Sequence, residues 1–282
     1  MNTKIQDTFL QLVRLGIGND PVSGFKFQVS SSLSAVDWQA VEDVANEQGL
    51  LGVMLDGVDK LPRELRPEKK AIIQSIGQLV QTEQIYAVQE HAAAEMALLL
   101  HQHGIRTYVL KGAVVAECYP RPEHRRSVDM DCFLVNDNDN LNLNDNDTEQ
   151  LDVWEKGNRV VEEAGFEVAR GFYKNSTFHL PGLAVENHRF MTPFRGSKRL
   201  KSLERLLQSM IINDKLNEND NHNGNGGGKE LGLGSALKLN RRFEGTWMYR
   251  PPVMVSALFL IEHAYSHFLH EGLTWRHVLD WQ

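Results

Sequence analysis

Apolar positions recur at helical spacing at both ends of the chain and shift towards period two in its middle. Ile5, Phe9, Leu12, Val13 and Ile17 predict an amphipathic helix over residues 3–16. Residues 35–60 read as one or two helices, with Asp37 placed as an N-cap. Between Pro67 and Gly104 the spacing of Ile72, Ile73, Ile76, Val80, Ile85, Val88 and Leu98 predicts one long packing helix over 68–102. The run 108–110 then breaks at Lys111-Gly112. Small residues 113–116, Pro120, Pro122 and a basic cluster follow, and Asp129-Met130-Asp131 leads into Cys132-Phe133-Leu134-Val135. That order reads as strand, tight turn, short helix, loop, strand, the last strand mostly buried on the evidence of Val128, Met130 and Phe133.

Beyond it, 148–164 predicts a helix capped by Asp147 or Thr148 and closed by Gly165. Strands are expected at 166–169, 173–180 and 183–191, with turns at Gly171 and Pro181-Gly182. Helices follow at 198–212 and 252–269. The fold class is therefore α/β (α+β). A small mixed-sheet core over 105–195 is flanked by a helical N-terminal segment, 1–104, and a helical C-terminal segment, 196–282. Two tracts lack any apolar pattern, 136–147 and 213–234. Their composition predicts a mobile loop and a disordered insertion outside the core.

Composition narrows the function. Of 282 residues 41% are hydrophobic, enough for a large core. A net charge of −7 argues against a nonspecific nucleic-acid binder. The two cysteines, Cys118 and Cys132, fall in predicted core elements, which suits a reducing cytoplasm better than a disulfide framework. The N-terminus lacks a signal-peptide pattern, and no apolar run approaches the ~20 residues that span a bilayer.

Asp129 and Asp131 carry the first candidate chemistry. In a strand they share a face, and two adjacent carboxylates repel unless positive charge lies between them. Mg²⁺, a hard cation that takes oxygen ligands and leaves positions open for phosphate, meets that need. Gly112 allows backbone N–H groups to approach a phosphate. Glu186 falls in the strand 183–191, whose alternation places either Ala184, Glu186, His188 and Phe190 or Leu183, Val185, Asn187 and Arg189 on one face. Other patterns fail. The Asn/Asp tract lacks EF-hand spacing. Gly224 to Lys229 lacks the spacing and the Ser/Thr of a P-loop. His263 and His267 lie four apart on a helix without the Glu of a zincin motif.

The order Leu110-Lys111-Gly112-Ala113, then Tyr119-Pro120-x-Pro122-x-x-Arg125-x-x-x-Asp129-x-Asp131, resembles a bacterial family of uncharacterised nucleotidyltransferases in the DNA polymerase β-like superfamily. Val185-Glu186-Asn187-His188 looks like the family's apolar-acid-x-His segment. His263, His267, Glu271-Gly272, Arg276 and Asp280-Trp281 resemble later landmarks, with Thr274-Trp275 where Gly-Leu is expected. The resemblance covers about 105–282, and the chain is expected to be shorter than typical members. Ala113 stands where a second Gly or Ser is usual.

The resemblance implies transfer of NMP from an NTP to an unidentified hydroxyl or amine. Asp129, Asp131 and Glu186 would be the catalytic residues and would hold two Mg²⁺ ions. Lys111, Gly112, Ala113 and Arg125 would bind the nucleotide. The alternative is a non-catalytic nucleotide-sensing or protein-interaction module on the same fold, and a third reading is a helical scaffold in which the motif is coincidental. The partners implied are an NTP and an unknown acceptor, with neither a membrane nor a strong nucleic-acid signature.

Overall fold

The computed structural model describes residues 3–18, 37–137, 146–171, 173–193, 197–222, 242–270 and 272–281. They form two compact units. One is drawn from Met1–Val88, Val115–Ser127 and His267–Gln282, the other from Gln89–Val114 and Val128–Ser266. This differs from a division at 104 and 195. Three helices run through the unit boundaries, and the chain leaves the sheet-bearing unit between its first two strands.

The first unit begins with α1 (Thr3–Ile17), α2 (Trp38–Glu47) and α3 (Leu51–Lys60). The Asp37 carboxylate accepts from the Ala40 N–H at 3.3 Å, capping α2 as its position predicts. Helices α1 and α3 meet through glycines. A Cβ on Gly57 would lie 1.9 Å from the Leu12 carbonyl oxygen, and one on Gly16 would lie 2.0 Å from that of Val53. Lys60 Nζ donates to the carbonyls of Leu15, Gly16 and Gly18 at 2.8, 3.1 and 2.6 Å, satisfying orphan acceptors at the end of α1.

Helix α4 (Lys69–Gln102) is continuous, as predicted, and contributes to both units. Its packing is not uniform. Ala92, Ala93, Met96, Ala97 and Leu100 are buried against the sheet, whereas Ile73, Ile76, Val80, Ile85 and Val88 are exposed. Periodicity therefore marked the helix correctly but not which stretch of it is core.

The second unit is built on a six-stranded mixed sheet of order β3-β4-β5-β2-β1-β6. Its strands are β1 (Ile105–Val109), β2 (Asp129–Asn136), β3 (Val168–Ala169), β4 (Asn175–Leu180), β5 (Leu183–His188) and β6 (Met248–Tyr249). β1 and β2 are antiparallel, β2 and β5 parallel, β5 and β4 antiparallel, and β1 and β6 parallel. The one-turn α5 (Ala113–Ala116) follows β1, and α6 (Asn146–Glu163) precedes β3. Alternation sorts the sheet's two faces. Met130, Cys132, Leu134 and Val185 pack with α4 and with Val153, Val160 and Val161 of α6. Phe133 and Val135 pack with Leu207 and Ile211 of α7 (Lys198–His222) and Val255 and Phe259 of α8 (Val253–His270).

Several details differ from expectation. α7 continues to His222, through residues assigned from composition to a disordered insertion; the rest of that tract, 223–234, and most of 136–147 lie outside the described residues. β5 ends at His188 and not at 191. Val128 lies outside β2 and is exposed, and Cys118 is exposed while Cys132 is buried. Neither thiol is in a disulfide. No described helix is long and apolar enough to cross a membrane.

Candidate active site

The site lies on the sheet face that packs against α8. Asp129, Asp131, Phe133 and Val135 follow one another at period two, so both aspartates point to that face. The parallel register pairs Asp131 with Glu186 directly, and Asp129 with Ala184. Paired residues share a face, so Asp131 and Glu186 stand side by side.

The turn from β1 carries the positive charge inward. Gly112 has φ +93°, and a Cβ there would sit 3.2 Å from the Asp129 carbonyl oxygen. Glycine therefore supplies both the left-handed backbone and the close approach to β2. The Leu110 N–H donates to the Asp131 carbonyl at 2.8 Å. Lys111 is thereby buried, with Nζ 3.3 Å from Asp129 Oδ1 and 3.6 Å from Asp131 Oδ2. It lies 2.9 Å from His263 Nε2 of α8.

His188, at the end of β5, is fully buried between the acids. Its Nε2–H donates to Asp131 Oδ1 at 2.8 Å and lies 3.5 Å from Glu186 Oε2. Burial works against its charged form, but the hydrogen bonds to Asp131 and Glu186 outweigh it and raise its pKa to about 9. Burial alone would raise Asp131. The His188 hydrogen bond and the Lys111 charge overcome it and hold the carboxyl below the usual range. Glu186 is held low mainly by its hydrogen bond with His188, and it also accepts from Asn175 Nδ2 at 2.7 Å. The positive charge required between neighbouring carboxylates is thus present as Lys111 and His188.

The residues also fit a divalent cation. Ligand atoms of Asp131, Glu186 and His188 lie within 4.8 Å of one another. Asp131 Oδ2 is buried and makes no hydrogen bond. Asp129 is outside this three-residue group but on the same face, beside Lys111.

Arg125 has an anionic partner within the chain. It belongs to the first unit, is 2% exposed, and forms a bidentate pair with Asp280: Nε to Oδ1 at 2.8 Å and Nη2 to Oδ2 at 2.6 Å. Tyr119 OH donates to the same carboxylate at 2.8 Å. The fork expected to meet phosphate is occupied by a carboxylate. His263 and His267 do not act as a pair. His263 faces Lys111, while the ring of His267 lies 4.8 Å from that of His277. Sequence reasoning assigned no role to His188, Asn175 or His263. For His188 a signal existed, since period two from Glu186 puts it on the same face.

A sequence profile described as uncharacterised nucleotidyltransferase matches residues 34–215, well over half the chain. The protein belongs to this uncharacterised nucleotidyltransferase family. The match takes in Lys111, Asp129, Asp131, Glu186 and His188 and ends within α7, so His263, Arg276 and Asp280 lie beyond it. It begins well before residue 105, the start of the resemblance in sequence. No curated protein and no solved structure matches the chain. Membership supports nucleotidyl transfer in general terms.

Proposed function

We propose that the protein is a metal-dependent nucleotidyltransferase that moves NMP from an NTP to an acceptor hydroxyl or amine. The observation that carries this reading is the register pair Asp131–Glu186, whose carboxylates stand with His188 in a three-ligand group while Asp131 is fully buried. In this reading Asp131 and Glu186, with Asp129 at the more exposed edge, hold Mg²⁺. The second Mg²⁺ expected from the family resemblance would draw on Asp129. When bound, the metal supplies Lewis-acid charge for the phosphates and the attacking and leaving oxygens.

The chain's own groups have distinct tasks. Lys111, held by the Gly112 turn, neutralises phosphate charge. Gly112 and Ala113 present backbone N–H groups to phosphate oxygens. α5 is a single turn, so these groups act as local donors and not through a helix dipole. Glu186, ionised and steadied by Asn175 and His188, orients the acceptor. Its depressed pKa makes it a weak base, so orientation is the larger part of its role. Arg125 holds Asp280 and contributes by fixing the segment between α5 and β2. An NTP substrate and thiols outside disulfides suit the cytoplasm.

One observation favours a second reading, a nucleotide-sensing module without catalysis. Lys111 and His188 already compensate much of the acids' charge. Pyrophosphate release from each NTP with Mg²⁺ separates the two. The enzyme reading expects release that falls on the order of 100-fold, about 2.7 kcal/mol of barrier, in Asp131→Asn. Nucleotide binding without pyrophosphate release from any NTP, across a panel of alcohols, amines and RNA ends, would leave the sensing module.

A further inference from the structure

We infer that His188 is a direct metal ligand alongside Asp131 and Glu186, and that this mixed nitrogen–oxygen site selects a transition-metal ion such as Mn²⁺ over Mg²⁺. The inference rests on the metal-dependent reading above and names which ion the site prefers.

Three features of His188 and its surroundings point to ligation. First, Nε2 is aimed at the space between the carboxylates, 2.8 Å from Asp131 Oδ1 and 3.5 Å from Glu186 Oε2. Ligands about 2.1 Å from one ion lie roughly 3–4 Å apart, so small movements would open room for a cation among these atoms. Second, the ring is held from behind. Nδ1 lies 3.4 Å from the Phe190 carbonyl oxygen, and the edge-on ring of Phe259 sits 5.3 Å away at 87°. A carbonyl at Nδ1 keeps that proton in place, so an arriving cation would displace the Nε2 proton to solvent and take the Nε2 lone pair, an arrangement usual behind ligating histidines. Third, the carboxylate that His188 meets is itself fully buried, and its other oxygen, 3.6 Å from Lys111 Nζ, makes no hydrogen bond. Among the described residues, Asp131, Glu186 and His188 form the one group of three with metal-ligand reach.

The donor set decides the ion. Mg²⁺ favours oxygen ligands in near-ideal octahedra and retains water. Imidazole shifts preference towards first-row transition metals, while the two carboxylates keep the site hard enough for Mn²⁺. A site of carboxylates alone, such as Asp129, Asp131 and Glu186, would carry no such bias.

Pulsed electron paramagnetic resonance on the full chain tests this directly. The protein is stripped with EDTA, dialysed, loaded with substoichiometric Mn²⁺ and examined for nitrogen coupling to the metal. Wild type and His263→Gln should show ¹⁴N modulation, and His188→Gln should lose it. Labelling histidine with ¹⁵N should shift the wild-type signal, which keeps the test decisive if His188→Gln fails to fold. Calorimetry should give Mn²⁺ at least tenfold tighter than Mg²⁺ in wild type, with that preference reduced about tenfold in His188→Gln. Bound Mn²⁺ without nitrogen coupling would overturn the His188 assignment and leave the carboxylate metal site standing. Nitrogen coupling lost in His263→Gln and retained in His188→Gln would also overturn it. No Mn²⁺ or Mg²⁺ binding at all would remove the metal-dependent reading together with this inference.

Discussion

Arg125, expected from the sequence to meet phosphate, meets a carboxylate of its own chain in the fold. A guanidinium fork seeks a bidentate anion, and it finds Asp280, 155 residues away in sequence. Nothing local in the chain announces that pairing. Removing one member of a buried pair leaves the other charge uncompensated, so Arg125→Ala should cost about 3–5 kcal/mol in a denaturant titration. If Arg125 instead serves phosphate, the same substitution would weaken nucleotide binding while leaving the unfolding midpoint near wild type. Its neighbour His124 is also buried between acids. Nδ1 lies 2.9 Å from both Asp56 oxygens, Nε2 lies 2.9 Å from Glu83 Oε1, and Arg121 shares Asp56 at 3.1 Å. Burial opposes its charge, but the hydrogen bonds to Asp56 and Glu83 prevail and raise its pKa. The stabilisation is therefore complete below the unfolded value of ~6.5 and fades as pH rises through the folded value. His188 acts in the same direction, fading through about 9. Unfolding free energy should thus fall from pH 6.5 to 9, and His124→Gln should flatten part of that slope; an unchanged slope would mean His124 is not charged in the fold.

At the level of elements, legibility followed length. The Asp129-x-Asp131 strand, the Gly112 turn and the long α4 were all readable, because each imposes a period or a backbone requirement over several residues. β6, two residues long, carries too little pattern to be seen, whereas β3 falls within the strand expected at 166–169. The end of α7 was not legible because a nucleated helix can propagate even where apolar residues run out in the sequence. Register was legible only in part. Glu186 belongs beside Asp131 because alternation puts both on one face, but which strand neighbours β2 could not be read from the pattern alone. The contact between α1 and α3 was not legible either, since Gly16 and Gly57 look unremarkable in sequence. With 1.9 Å between a new Cβ and the Leu12 carbonyl, Gly57→Ala must separate two helix backbones. It should destabilise by at least about 1–3 kcal/mol, the usual cost of overpacking, measured as a lowered denaturant midpoint. A neutral effect would mean that the helices slide apart freely.

Over the whole molecule, the formal charge of −7 opposes any polyphosphate before it reaches the sheet. Inside the site Asp129, Asp131 and Glu186 face Lys111 and His188, so the balance remains acidic there too. Two unit charges ~4 Å apart interact by about 4 kcal/mol at an effective dielectric near 20. A triphosphate brings several negative charges, more than one lysine can offset at that scale. Divalent metal and nucleotide should therefore bind together. Calorimetry with ATP or GTP should give heat in the presence of Mg²⁺ or Mn²⁺ and little in EDTA. Asp129→Ala should remove part of the metal-dependent heat, while Lys111→Ala should weaken nucleotide binding and leave metal binding in place. Salt offers an independent check. Raising ionic strength screens the long-range repulsion, so residual binding in EDTA should strengthen slightly between 10 mM and 150 mM, as the Debye length falls from about 30 to 8 Å. Tight nucleotide binding in EDTA, unaffected by Asp129→Ala, would mean that the protein recognises the base or sugar and not a metal-bound triphosphate, the behaviour of a sensing module.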